Sequence, residues 1–300
     1  MNAEMPRSQK STIGRINFVH STVRPVLGGL SRLAPGPASS LALRLFLTPP
    51  RFQVPTREQW WSTEAESFAI PFGAGKLTAW RWGWHGPTVL LVHGWAGRGR
   101  QLGAFAAPLV EAGYQVVAFD APGHGLSSGS RSSLPEMVDA VAAMVRHEGG
   151  VAAIVAHSLG AAATTLALGR PGTPPDVERL VYLSPSVDMT HVTSRFGEMT
   201  GFNDDVIRRL RSGLEQRFAF RWQDLEGLGM APTMRLPLLV VHDRDDPEVP
   251  WREGRALVQA WPNARLEATR GLGHRRILRD DAVVAEVTRF VSARADRAPS

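Results

Sequence analysis

The chain has 300 residues, with 43% hydrophobic and 21% charged positions and a formal net charge of +6. These values fit a globular protein with one large domain or two ordinary ones, and exclude global disorder. There are no cysteines, which excludes disulfides, thiolate metal sites and a cysteine nucleophile. Lys10 and Lys76 are the only lysines, and the arginines are scattered rather than clustered with aromatics; this argues against nucleic acid as a partner. No run reaches the ~18 apolar residues of a membrane span. The N-terminus shows no secretory pattern, so a cytoplasmic location is expected.

The first 62 residues read as an N-terminal arm. Ile16, Val19, Val23, Val26, Leu27 and Leu30 recur at helical spacing, weakened by Pro25 and Gly28-Gly29. A break at Leu33 to Pro37 precedes a short apolar segment, Leu41 to Leu47, and Pro49-Pro50 and Pro55 then read as a linker. The arm either packs over the main domain or touches a membrane surface through its basic, amphipathic character.

Residues 63–300 read as the main domain. Ser67 to Phe72 and Lys76 to Trp82 are strands around a Gly73-Ala74-Gly75 hairpin loop. Further strands are expected at Thr88 to His93, Gln115 to Asp120, Val151 to Ala156, Leu180 to Leu183 and Leu238 to Val241. Helices are expected at Gln101 to Ala112, Ser133 to His147, Ala161 to Leu168, Trp251 to Ala260 and Asp281 to Ala293. Ser133 and Glu136 have capping-box spacing. Such alternation gives a mostly parallel sheet with helices on both faces, and ligands bind beyond the carboxyl ends of its strands. The stretch of about 185–235 lacks a buried strand. It contains a helix capped by Asn203, with Val206, Ile207, Leu210 and Leu214 on one face, and it reads as a small helical lid insertion.

The chemistry sits at the strand ends. Ala156-His157-Ser158-Leu159-Gly160 lies between a buried strand and a helix. A nucleophilic serine on a sharp turn needs small residues two positions away on either side. A serine hydroxyl needs a base, and the base needs an acid to orient it. An acid-rich segment, His242 to Pro250, and Gly271-Leu272-Gly273-His274 follow in that order.

With these motifs the chain from about Ser67 resembles the α/β-hydrolase superfamily. His93-Gly94-Trp95 looks like its H-G-x oxyanion loop. Asp120 to Ser127 looks like its D-x-x-G-x-G-x-S loop, Ala156 to Gly160 like its nucleophile elbow, and His242 to Pro250 like its acid segment, with Asp243 replacing a glycine. The resemblance implies the α/β-hydrolase fold and a triad of Ser158, Asp246 and His274, with Asp245 and Asp243 as alternative acids. It also implies an oxyanion hole from the backbone N–H groups of Trp95 and Leu159. Trp95, His157, Phe196 and Phe202 are candidate pocket residues. No cofactor or metal is implied.

The reading is a serine hydrolase, carboxylesterase-like, acting on a small-molecule ester of small or medium acyl chain. Thioester, lactone and carbon–carbon bond hydrolysis share this triad and stay open. So does a non-catalytic ligand-binding protein on the same fold.

Overall fold

The computed structural model describes residues 23–170 and 177–293. Two compact units divide them. The smaller is made of the chain up to Leu47 and Met189–Trp222; the larger holds Thr48–Asp188 and the rest from Gln223.

The larger unit is built on one eight-stranded sheet. Its strands are β1 (Glu66–Phe72), β2 (Gly75–Trp82), β3 (Thr88–Val92), β4 (Gln115–Phe119), β5 (Val151–His157), β6 (Val177–Leu183), β7 (Leu238–Asp243) and β8 (Ala264–Thr269). Their order is β1-β2-β4-β3-β5-β6-β7-β8. β1 and β2 form the expected hairpin, closing with Phe72 opposite Gly75 and Gly73 at φ 54°. β2 also runs antiparallel to β4; every later pairing is parallel.

The parallel strands are buried on both faces, as their continuous apolar runs require. Val89, Leu91, Val155, Val181 and Val241 join a cluster with Phe105, Leu109, Val283 and Val287 from helical segments on one side. Their alternate neighbours Leu90, Ile154, Tyr182 and Val240 point the other way and are equally buried. On that side the Tyr182 hydroxyl meets Thr165 Oγ1 of the helix Leu159–Leu168 at 2.9 Å, and its ring stands edge-on to Trp261.

The strand order places the site. β3 and β5 are parallel neighbours, with Val92 opposite Ala156, so the loops leaving them start side by side. β7 and β8 are neighbours as well, with Asp243 opposite Thr269, which brings the acid segment beside the loop to His274.

Several elements differ from expectation. β8 is not among the expected strands; it is an edge strand of half-buried and exposed residues, none fully buried. The expected helix from Gln101 starts as a 3-10 stretch, Gly99–Phe105, and turns α-helical at Ala106–Glu111. Thr56–Thr63, directly after the expected linker of Pro49-Pro50 and Pro55, is a helix that the sequence pattern does not announce. The expected break at Leu33 to Pro37 narrows to Ala34 alone: residues 23–33 are helical, and Pro35–Phe46 is a second helix. Proline in a first helical turn forfeits no bond, because the N–H it lacks has no partner there.

In the smaller unit, the helix Asp204–Phe218 is capped by Asn203, whose Oδ1 accepts from Val206 N–H at 3.0 Å. Its apolar face (Val206, Ile207, Leu210 and Leu214) packs with Leu27, Ala38, Ala42, Leu47 and Phe202. Gly201 comes so close to the Arg24 backbone that a Cβ there would lie 2.5 Å from the Arg24 carbonyl oxygen. The described part of the arm therefore packs on the insertion. Residues 48–62 fall in the larger unit, and the insertion's share of the smaller one ends at Trp222. The physical reason for the first is a set of anchors in the larger unit. Arg51 donates to the Gly129 carbonyl at 2.7 Å, and Trp82 Nε1–H donates to the Trp61 carbonyl at 2.7 Å. Residues 1–22, with Ile16 and Val19, lie outside the described residues.

Candidate active site

Ser158 links β5 to the helix Leu159–Leu168 with φ 53° and ψ −124°. This region is nearly closed to residues with a Cβ, and holding it costs about 1–3 kcal/mol. The turn is tight for a visible reason. A Cβ on Gly160 would lie 2.6 Å from the His93 carbonyl oxygen and 2.9 Å from that of Val92. A Cβ on Gly94 would lie 2.7 Å from Ser158 Cβ. The two glycines let the β3 loop and the β5 turn touch, so Gly94 lies against the half-buried Ser158. Leu159 opens its helix, so its N–H has no partner within that helix.

His274 and Asp246 meet directly. His274 Nδ1–H donates to Asp246 Oδ2 at 2.8 Å, and the Asp246 side chain is fully buried. The other oxygen, Oδ1, accepts from the N–H groups of Glu248 at 2.8 Å and Val249 at 3.0 Å. Burial pushes this carboxyl up, but the His274 bond and charge with the two backbone donors outweigh it and leave the pKa at about 2. The carboxylate is thus charged and fully engaged.

The two alternative acids do other work. Asp243 accepts from Asp245 N–H, Thr269 Oγ1 and Leu272 N–H; Asp245 accepts from Gly271 N–H at 3.2 Å. Both brace the loop that carries His274.

Ser158 and His274 share no hydrogen bond among the described residues. Their backbones are tied instead through His157, whose Nε2–H donates to the His274 carbonyl at 3.0 Å, with ring centroids 4.5 Å apart. Catalytic hydrogen bonds commonly tighten only when substrate is bound.

Three further histidines brace the site as neutral rings. His93 Nδ1–H donates to the Gly94 carbonyl and its Nε2 accepts from Ala121 N–H. His124 Nδ1–H donates to the Pro122 carbonyl and its Nε2 accepts from Ala96 N–H. Burial is the main cause that lowers their pKa values, to about 4 and about 3. Burial also holds His157 well below the usual histidine range. The Asp120 loop is bound by its own carboxylate, which accepts from Gly99 and Leu126 N–H. A Cβ on Gly125 would collide with that carboxylate.

The other candidate pocket residues divide. Trp95 stands edge-on to His124 with centroids 5.2 Å apart. His157 is buried and engaged with the His274 backbone, so its ring is a brace. Phe202 is buried in the smaller unit's own core, where Phe196 packs on it and on Phe46. Sequence reasoning also missed the ion pair of Arg98 with buried Glu58, since nothing in the spacing of residues 58 and 98 announces it.

The chain has the α/β-hydrolase fold, and a family model described as serine aminopeptidase, S33, matches its residues 85–227. Among relatives, a pimeloyl-[acyl-carrier protein] methyl ester esterase of Xanthomonas campestris pv. campestris is 36% identical over 131 residues. The alignment covers 42% of this chain and 45% of that protein, so the chain spans less than half the length of the relative it matches. The esterase Pf2001 of Pyrococcus furiosus superposes with a TM-score of 0.60 at 19% identity, covering 81% of this chain and 98% of that one. Est1E of Butyrivibrio proteoclasticus, solved with ferulic acid, gives 0.60 at 21% identity, covering 75% and 96%.

Proposed function

We propose that the protein is a serine hydrolase that cleaves carboxylic esters of small or medium acyl chain through an acyl-enzyme. The observation that carries this reading is the buried Asp246–His274 pair at 2.8 Å, together with the strained turn that holds Ser158. The esterase names of the relatives support an ester as substrate.

Ser158 Oγ attacks the ester carbonyl carbon while His274 Nε2 takes its proton. Asp246 fixes the ring with Nε2 available and stabilises the imidazolium. The carbonyl oxygen becomes an oxyanion held by the backbone N–H groups of Leu159 and Trp95; such a donor is worth about 3–4 kcal/mol in the transition state. Collapse breaks the bond to the alcohol oxygen, which leaves with the proton from His274. Water then attacks the acyl-enzyme by the same route, releasing the acid and restoring Ser158. Only backbone atoms serve the oxyanion, so the Trp95 side chain takes no part in holding it.

A fluorophosphonate probe and p-nitrophenyl butyrate test this together. We expect an adduct on Ser158 of the folded protein and ester turnover that falls at least ~10³-fold in Ser158→Ala. Wild-type turnover in that variant, or no adduct on folded wild-type protein, overturns the assignment; the latter result leaves a ligand-binding protein on a hydrolase fold.

A further inference from the structure

Beside the candidate active site, the larger unit contains a cavity of about 330 Å³. Ala96, which follows Trp95, and Arg275, which follows His274, both line it. Its opposite wall is the segment after Leu47, with Phe52 and Trp61. Three arginines line the space (Arg98, Arg275 and Arg279), against a single acid, Glu58.

The arginines are prepared rather than merely near. Arg98 is gripped by Glu58 through Nε and Nη2, the latter at 2.8 Å. Arg275 is gripped by Glu248 through Nε at 3.0 Å and Nη2 at 3.4 Å. In each case a carboxylate occupies one edge of the planar guanidinium. Among the described residues, Nη1 of both arginines makes no hydrogen bond. A guanidinium held in this way loses little further freedom when its other edge binds a carboxylate or phosphate. The Glu248 that holds Arg275 also donates its N–H to Asp246, so the cationic wall is continuous with the acid loop.

We propose that this cavity is an anion subsite that takes a small-molecule carboxylate or phosphate, and that the anion is part of the substrate. The second half of this statement rests on the hydrolase reading above; the first half does not. The chemistry distinguishes an anion from a neutral acyl chain: the remaining N–H donors of Arg98 and Arg275 would gain nothing from an apolar ligand, whereas they match either oxyanion.

Two measurements on the full chain test it. Calorimetric titration uses adipate, inorganic phosphate and uncharged adipamide. We expect one-to-one binding of adipate or phosphate and none of adipamide. Arg275→Gln and Arg279→Gln should each weaken that binding at least about tenfold, while the remote, exposed Arg170→Gln leaves it unchanged. Arg275 and Arg279 are exposed enough for their variants to fold. The second measurement is the ratio of kcat/KM for mono-p-nitrophenyl adipate to that for p-nitrophenyl butyrate, which should fall about tenfold in Arg279→Gln if the anion is a carboxylate. Phosphate binding with an unchanged ratio identifies a phosphate ligand and keeps the site. Binding of neither anion, or variants that bind as wild type does, overturns the site even if butyrate is hydrolysed. Anion binding without any ester turnover upholds the site and removes the hydrolase reading.

Discussion

Ser158 combines a strained backbone with the proposed nucleophile. At φ 53° and ψ −124° a Cβ is a liability, so the two small substitutions separate strain from chemistry. Both Ser158→Gly and Ser158→Ala remove the hydroxyl, but only glycine relieves the backbone. The glycine variant should be more stable than the alanine variant by about 1–2 kcal/mol in urea unfolding, with both inactive. The neutral histidines make a second prediction at this scale. His93 and His124 have folded pKa values of about 4 and about 3, far below the ordinary 6.5. Between those limits the unfolded chain binds protons that the folded chain refuses, so stability falls as pH drops from about 6.5 toward 4. Thermal unfolding across that range should show the loss. His124→Gln, which keeps an acceptor for Ala96 N–H but cannot titrate, should make the slope shallower. Glu253 acts in the opposite direction. Burial raises it to about 7 while it accepts from Val187 and Asp188 N–H. The folded state therefore holds a proton that the unfolded state releases between about 4.5 and 7, and Glu253→Gln should gain stability over wild type at pH 8 but not at pH 4.5.

At the scale of elements, the site depends on the contact of two loops from adjacent parallel strands. Gly160→Ala places a methyl 2.6 Å from a carbonyl oxygen of the neighbouring strand's loop. Backbone cannot move aside as a flexible side chain can, so we expect a loss of about 1–3 kcal/mol together with ester turnover, measured by urea unfolding and p-nitrophenyl butyrate assay. This same crowding explains why so much of the site was legible in the sequence. Glycines at 94, 125 and 160 stand where a Cβ collides; Gly94 and Gly160 lie within three residues of the end of an apolar run long enough to be a buried strand, and Gly125 lies in the loop that follows β4. Asp246 was readable because Val249 and Pro250 set the register of its loop. Other features left no such trace. β8 reads Ala264-Arg265-Leu266-Glu267-Ala268-Thr269; at the sheet edge it needs no continuous apolar run. The capping box at Ser133 forms its N-cap half, with Ser133 Oγ accepting from Glu136 N–H at 3.3 Å, while Glu136 Oε2 accepts from the Ser133 hydroxyl at 2.7 Å rather than from its backbone. The bracing roles of His157 and Glu58 depend on partners 117 and 40 positions away, separations that carry no periodic signal.

At the scale of the whole molecule, the N-terminal arm and the insertion share one core. Leu210, buried among Leu27, Ala38 and Ala42, should cost about 2–5 kcal/mol of that core when cut to alanine. A chain that begins at Thr48 would leave Val206, Ile207, Leu210 and Leu214 without half of their cover. Limited proteolysis of that truncated protein should cut first within 189–222, where the full chain resists. Pairing segments so distant along the polymer also has a cost during biosynthesis. The helices before Leu47 leave the ribosome well before Met189 is made, at roughly 5–20 residues per second. For on the order of ten seconds their apolar faces have no mate, which makes the nascent N-terminus a natural client for a chaperone.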